Sequence, residues 1–385
     1  MAIRVNPKLI DELEKYGVED VHNCYHCGHC SAICSHTESP YMFPRKSMRH
    51  LQMGLEEKIK GGLEPWLCYY CGQCSEQCPR EAEPGETMMS LRRWLTAVYD
   101  FTGIARAFYA SWKTELWAII TVAILTGIGF SLYGFSRGDL HTYDGPRAFL
   151  PSATMHIFDW TLASVLTFFL AVNAVRMWWF TIGRNKEIQI PFLAYLKKAY
   201  LLPFHFFTQK RYAKCEHKSP WAIHLILVLS YISMFVLIMF FLSEMQAGPA
   251  INWNFHALGY LASMGLIGTT IYALHGRLKK TKIHYQHSHE SDWIFLILLL
   301  FVAVTGVLQH GFHRAGMIAV ANITYVIHMM GVVPLLGLEV PFSKWTHLVF
   351  RPLAMYFADL AAPSVSKAKE KLVPSLSAVQ KGHMA

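Results

Sequence analysis

From about residue 115 to residue 350 the chain is a series of long apolar runs, whereas the first 113 residues mix polar and apolar positions at short spacing. Six runs reach the roughly 20 apolar residues that a helix needs to cross a bilayer. They lie at about 115–135, 155–181, 221–242, 254–275, 292–312 and 319–349. Trp293–Leu308 carries no charge, which argues against a buried helix of a soluble bundle. The last run is longer than a span requires and holds Pro334 and Pro341, so a kink or tilt is expected there. Segment 188–212 sets Ile188, Phe192, Tyr195, Leu196, Ala199 and Leu202 against Lys197, Lys198 and Lys210, the pattern of an amphipathic stretch at a lipid interface. In the polar part, Pro44 opens a helical stripe of Met48, Leu51, Leu55 and Ile59 that ends at Gly61 and Gly62. The pattern predicts an all-α protein.

Charge fixes an expected orientation. The 183–220 loop holds Arg184, Lys186, Lys197, Lys198, Lys210, Arg211, Lys214 and Lys218, and the 276–290 loop holds Arg277, Lys279, Lys280 and Lys282. The alternate loops hold only Arg137, Arg147 and Arg314. Basic loops stay in the cytoplasm, so six spans put both termini there, in the cytoplasmic (inner) membrane. Met1–Glu14 has no apolar core of a secretory signal. The net charge of +9 does not indicate nucleic acid, because the cations sit in loops between apolar runs. Three segments are expected: a cytoplasmic domain over 1–112, a membrane domain over 113–352 and a flexible cytoplasmic tail over 353–385.

Eight of the nine cysteines fall into two motifs of one spacing, C-x2-C-x2-C-x3-C. The first is Cys24, Cys27, Cys30 and Cys34; the second is Cys68, Cys71, Cys74 and Cys78, followed by Pro79. Three thiolates within seven residues can wrap one [4Fe–4S] cubane, and the fourth reaches across to the other cluster. The expected ligand sets are therefore Cys24, Cys27, Cys30 and Cys78 for one cluster, and Cys68, Cys71, Cys74 and Cys34 for the other. Zinc sites pair two C-x2-C halves instead. Neither motif contains C-x-x-C-H, so covalent c-type haem is excluded. The helical stripe between the motifs points to an α-helical ferredoxin domain. Cys215 stands alone and is expected to be a passive thiol.

Histidines in or at the ends of apolar runs are His156, His224, His256, His275, His310, His313, His328 and His347. A polar ring in lipid is costly and marks function, and non-covalent haem b takes two axial ligands. His224 begins the third run and His347 ends the sixth, both at the cytoplasmic side, so they are expected to share one haem iron. His328 lies nineteen residues before His347, roughly 28 Å along a helix, and belongs to the outer half. Glu339 lies between these two histidines, an acid well inside the membrane, expected to carry protons or to hydrogen-bond a quinone.

On these residues, segment 20–100 resembles the small ferredoxin-like component of heterodisulfide reductases (HdrC), through the two cysteine motifs and the Pro44-Arg45…Arg49…Gly54 spacer; Ser35 replaces the proline that usually follows the fourth cysteine. Segment 220–352 resembles the cytochrome b component of respiratory nitrate reductase and its heterodisulfide reductase counterpart (HdrE), through His224, His328, Pro341-Phe342-Ser343 and His347. Met234 stands where that family has a second ligand on the earlier helix, so a second haem would pair His328 with Met234, His156, His256 or His310. The fusion resembles the membrane component of the quinone-interacting membrane-bound oxidoreductase (Qmo) complexes of sulfate reducers. That resemblance implies a six-helix transmembrane cytochrome b bundle, one or two haems b, and menaquinone as substrate. It further implies the cytoplasmic flavin- and iron–sulfur-containing subunits of the same complex (QmoA and QmoB) as partners, with adenylylsulfate reductase as the downstream acceptor. The same wire in a heterodisulfide-reductase-like or sulfite-reduction-associated complex, or a membrane anchor without haem chemistry, are the rival expectations. No Rossmann or P-loop glycine motif is present, so a flavin site is expected on a partner.

Overall fold

The structure, a computed structural model, describes residues 4–143, 145, 147–246 and 253–372. The chain divides into two units that do not follow its linear order. Unit 1 is Met1–Phe101, Asn173–Glu216 and His347–Ala385; unit 2 is Thr102–Val172 and His217–Thr346.

Unit 1 begins with α1 (Leu9–Glu14), α2 (His29–Ala32), α3 (Arg45–Gln52), α4 (Glu56–Lys60), α5 (Glu64–Leu67), α6 (Gln73–Glu76) and α7 (Pro84–Tyr99). The stripe expected to run unbroken from Pro44 to Ile59 is two helices. The break is Gly54, at φ +62°, where an added Cβ would stand 2.3 Å from the Asn6 carbonyl. That close approach lets Asn6 N–H donate to the Gly54 carbonyl at 2.8 Å, and only glycine combines the left-handed turn with no side chain.

Helix α7 is buried along most of its length because it carries the polar ties of the unit. Arg93 Nη1 lies 2.9 Å from Glu86 Oε1 one heptad earlier and donates to the Tyr16 carbonyl at 2.8 Å. Glu86 Oε2 accepts from the Tyr70 hydroxyl at 2.5 Å. Arg92 donates to the Pro65 carbonyl at 2.6 Å and to the Cys68 carbonyl. The helix thus holds the N-terminal segment and the second cysteine loop together.

The chain continues through α8 (Ile104–Ala110), α9 (Trp112–Arg137) and α10 (Ser152–Trp178), prolonged to Gly183 by a π turn. In unit 1 again come α11 (Phe192–Lys197) and α12 (Leu201–Thr208), with Phe192, Leu193, Leu196 and Tyr200 exposed. Unit 2 resumes with α13 (Ser219–Gln246), α14 (Trp253–Lys279), α15 (Ile283–Gln286), α16 (Glu290–Arg314), α17 (Ile318–Pro334) and, past a π turn over Leu335–Glu339, α18 (Val340–Phe342). Helix α19 (His347–Leu372) belongs to unit 1.

Among the described residues, six helical stretches have the length and apolarity to cross a membrane: Trp112–Arg137, Ser152–Gly183, Ser219–Met245, Trp253–Lys279, Glu290–Arg314 and Ile318–Phe342. In unit 2, α16 packs on α17 and α14, α14 on α13, and α9 on α17. Helical spans meet the demand of lipid for internal backbone hydrogen bonds, although α13 is kinked at Phe241 and α17 carries Pro334. The all-α expectation holds.

Two expectations at the C-terminal side are corrected. The sixth span ends at Phe342 rather than continuing to residue 349, because Ser343 leaves helical geometry at φ −129°, ψ −140° and a 3-10 turn over Lys344–Thr346 follows. His347 therefore opens α19 instead of ending the sixth span. Residues 353–372, expected to be a flexible tail, are helical, with Ala354, Met355, Phe357 and Ala361 buried. Asp359 anchors them, its carbonyl accepting from Lys198 Nζ at 2.7 Å and its carboxylate facing His205. The Ala/Ser/Lys composition concealed a helix whose small residues pack; the expected tail beyond Leu372 lies outside the described residues.

The buried Glu86–Arg93 pair yields a stability prediction. Glu86→Ala leaves the guanidinium uncompensated and should cost about 3–5 kcal/mol, read as a lower denaturant midpoint. A midpoint within 0.5 kcal/mol-equivalent of wild type, roughly the effect of a surface substitution, would contradict the role given to α7.

Candidate functional site

Each cysteine motif opens with the same backbone course. His26 and Tyr70, third in their motifs, take left-handed φ values of +59° and +55°, and Gly28 and Gly72 follow at +89° each. The glycines start α2 and α6, which pack on one another. Two left-handed residues within three positions curl each loop, and the glycine tolerates the second reversal without strain. Backbone amides add to this: Tyr70 N–H donates to Cys68 Sγ at 3.3 Å and Ala82 N–H to Cys78 Sγ at 3.4 Å.

The thiols of the two motifs lie within electrostatic reach of one another. Cys30 feels the charges of Cys24, Cys27 and Cys78. Cys68 feels Cys71 and Cys34, and Cys74 feels Cys68, Cys71, Cys30 and Cys34. Burial, and then the neighbouring Cys24, push the Cys30 thiol up to about 11, and burial pushes Cys74 well above its ordinary value. Left to themselves these groups would stay protonated; what suits them is a cationic metal centre enclosed by the sulfurs, since metal ligation is what turns such thiols into thiolates. Among the described residues, no three Cys, His, Asp or Glu side chains close round a single ion. Four sulfur donors in each motif are the donor set of an iron–sulfur cluster.

Cys215, expected to be a passive thiol, is buried with its Sγ 3.2 Å from His36 Nε2; its hydrogen bond to Cys71, and then burial, push its own thiol up, and the same bond brings the Cys71 thiol down to about 6. Burial, together with Arg351, lowers His36 to about 4, so its ring is neutral. The sequence held no signal for this: 144 residues separate Cys71 from Cys215.

In unit 2 an apolar cavity of about 240 Å³ is bordered by α10, α13, α14, α16 and α17, with His328, Met234, His256 and His310 in its lining. His328 Nδ1 lies 3.1 Å from Thr305 Oγ1, and that hydroxyl spends its own hydrogen on the Phe301 carbonyl at 2.7 Å. Nδ1 is therefore the donor, and Nε2 carries the lone pair, the tautomer a metal requires. Gly306 makes room for the ring, since a Cβ there would stand 3.1 Å from His328 Cε1. His256 and His310 rings are 5.0 Å apart, and Tyr260 Oη is 2.6 Å from His310 Nδ1. His156 does not line the cavity; its Nε2 lies 2.9 Å from the Met239 carbonyl and 3.0 Å from Trp160 Nε1. His313 stacks on Tyr143 and His275 is exposed. The donor types present are those a haem takes: a histidine at an apolar cavity, with thioether and imidazole groups also in its lining. His224 lies in the first turns of α13, within unit 2, and His347 opens α19 in unit 1.

Glu339 is fully buried, as an intramembrane acid should be, but it lies three residues before the end of its span rather than deep within it. Its neighbours are Glu115, Ser343 and Asp292. Ser343 Oγ donates to Glu115 Oε1 at 2.6 Å. Asp292 is matched by Lys344 and by Arg277 at 3.4 Å. Both Glu339 oxygens and Glu115 Oε2 are enclosed without a hydrogen-bond partner of good geometry. Glu115 and Asp292 escaped sequence reasoning, because an acid in the first turn of a helix reads as a partner of the helix dipole.

Residues 20–82 match the family described as a 4Fe-4S dicluster domain. No curated protein and no solved structure matches the chain. The match spans all eight motif cysteines and no part of the membrane helices. The chain therefore carries a 4Fe-4S dicluster domain ahead of six membrane-length helices, the make-up of a multi-pass iron–sulfur membrane protein of electron transfer.

Proposed function

We propose that this chain is the membrane subunit of a quinone-dependent oxidoreductase, moving electrons between menaquinol and cytoplasmic flavin- and iron–sulfur-containing subunits. The observation that carries the reading is the union, in one chain, of a dicluster domain with a histidine of a membrane-length helix that lines an apolar cavity and pairs its Nδ1 with Thr305. Clusters and haem, when bound, pass single electrons; the chain's part is to hold them, exclude water and handle protons. Qmo-type complexes, delivering towards adenylylsulfate reductase, are the assembly that the resemblance favours. Loop charge supports the cytoplasmic membrane as the location, with the cysteine domain and both termini on the cytoplasmic face.

In this reading Cys24, Cys27, Cys30 and Cys78 hold one cluster and Cys68, Cys71, Cys74 and Cys34 the other. The thiol neighbourhoods support that exchange. Cys34→Ser and Cys78→Ser test it: each should disturb the cluster of the opposite motif, seen as loss of one reduced-state EPR signal and about half the iron. If each removes the cluster of its own motif, the exchange is wrong.

His328 is assigned to an outer haem b, with Met234, His256 or His310 as the second axial group at the same cavity. His224 and His347 are assigned to an inner haem on the charge of the loops that flank them in the sequence. His224→Ala and His347→Ala should abolish the same low-spin haem component and His328→Ala another, read in dithionite-reduced minus oxidised spectra. Full haem in the first two variants would remove the inner assignment.

Glu339 is assigned to quinol chemistry as a proton acceptor or hydrogen-bond partner, its enclosed carboxyl oxygens supporting this. Glu339→Gln should slow quinol-dependent haem reduction by about 10²-fold, the scale of a general base, and leave the haem spectrum intact. Unchanged kinetics would make it a structural acid.

A further inference from the structure

We propose that the basic pocket beside the first cysteine loop is the docking site for an acidic segment of a soluble electron-transfer protein. The proposal rests on the electron-transfer reading above and adds to it the place and chemistry of the partner's contact.

The pocket arises from the amphipathic design of α3. Ser47, Met48 and Leu51 are buried against unit 1, which turns Arg45, Lys46 and Arg49 outward. Positions one turn apart place these cations some 5–6 Å from each other at Cβ. Together with His26, Ser31 and His50 they border a surface pocket of about 720 Å³, and no Asp or Glu is in its lining. Lys46 is held from below by buried Glu64, which leaves the arginines as the uncompensated positive charge of the lining. Burial, and then the charge of Lys46, lower the His50 pKa, so His50 adds a neutral donor.

The pocket is joined to the cysteine loop. Arg45 Nε donates to the His26 carbonyl at 3.0 Å, and Arg45 N–H to Ser31 Oγ at 3.1 Å. The Arg45 side chain also passes 3.5 Å from where a Cβ on Gly28 would lie. The loop it braces is the accessible one. Cys27 is exposed, whereas Cys68 and Cys74 of the second motif are buried. Tyr25, beside it, is 70% exposed with Arg80 stacked on its ring. Electron transfer falls steeply with distance, so a partner gains most by contacting this loop.

A peptide segment suits the site better than a small anion. The cations are spread along an exposed helix rather than converging on one point, and exposed Met42 adds an apolar contact at the rim. Aromatic and Met side chains flanked by Arg are the composition of protein interfaces, and opposite charge raises encounter rates by about 10–10³.

The test uses the full-length, cluster-loaded protein in nanodiscs of neutral phosphatidylcholine, with iron measured in every sample. The probe is a fluorescein-labelled hexaglutamate peptide read by anisotropy. Arg49→Glu should weaken binding at least about tenfold, consistent with the cost of juxtaposing like charges at an interface. Arg49→Lys should retain most of it, Lys15→Glu on an exposed remote position should leave it unchanged, and carbodiimide should cross-link the peptide to Lys46. Equal binding by Arg49→Glu and Lys15→Glu overturns the proposal. So does displacement of the peptide by inorganic phosphate as readily as by unlabelled hexaglutamate, which would mark a small-anion site. Peptide binding requires neither haem nor quinone. A negative result here leaves the haem and quinol assignments standing, and failure of those leaves this measurement unaffected.

Discussion

A loop that offers three sulfurs to one compact group has to reverse its course twice within five residues, and L-residues resist that reversal. Both cysteine loops meet the requirement with the same pair, a left-handed residue in the third motif position and a glycine at φ +89° after the second cysteine. The remainder of unit 1 serves to keep these two strained loops face to face. Helices α2 and α6 leave the loops and pack together, Arg92 ties the Cys68 carbonyl to α7, and Arg45 ties the His26 carbonyl to α3. Burial keeps Cys30, Cys68 and Cys74 protonated on their own, and backbone and arginine hydrogen bonds hold the loops.

Unit 2 obeys a different constraint. Lipid offers no hydrogen bonds, so each long helix closes its own backbone ladder, and polar side chains survive only where they find partners or perform chemistry. Most of them find partners: Asn322 donates to the Leu140 carbonyl at 2.9 Å, and Asp292 sits between Arg277 and Lys344. Two groups bear on chemistry: His328, which pairs its Nδ1 with Thr305 and lines the cavity, and the neighbouring buried acids Glu115 and Glu339. A π turn interrupts the sixth span at Leu335–Glu339, a local departure of the kind often found at functional sites.

Helix content, the number of spans and the cluster motifs were legible because each is local: an unbroken apolar run, a cysteine spacing, a glycine after a cysteine. What escaped was written across distance. Gly54 looked like one more position in a helical stripe, and only the approach of Asn6 shows that a Cβ has no room there. The end of the sixth span was misjudged because Pro341 reads as a kink, while the break comes at Ser343, where the helix stops. Ala354 and Ala361 looked like a solvated tail, although small residues are also what a close-packed helix uses. Cys215 beside Cys71 and Glu115 beside Glu339 are encounters between segments over 140 residues apart, for which one sequence has no sign.

The central claim is that clusters and quinone communicate through the histidine-bearing bundle. The most direct measurement mixes anaerobic, dithionite-reduced protein, freed of excess reductant, with a menaquinone analogue, and follows cluster absorbance and the haem b α-band together. The account predicts that cluster reoxidation keeps pace with haem turnover and slows by orders of magnitude when haem is missing from His328→Ala or His347→Ala. Clusters that reoxidise at the wild-type rate in haem-free variants, or a wild-type protein that shows no haem b band, would contradict it.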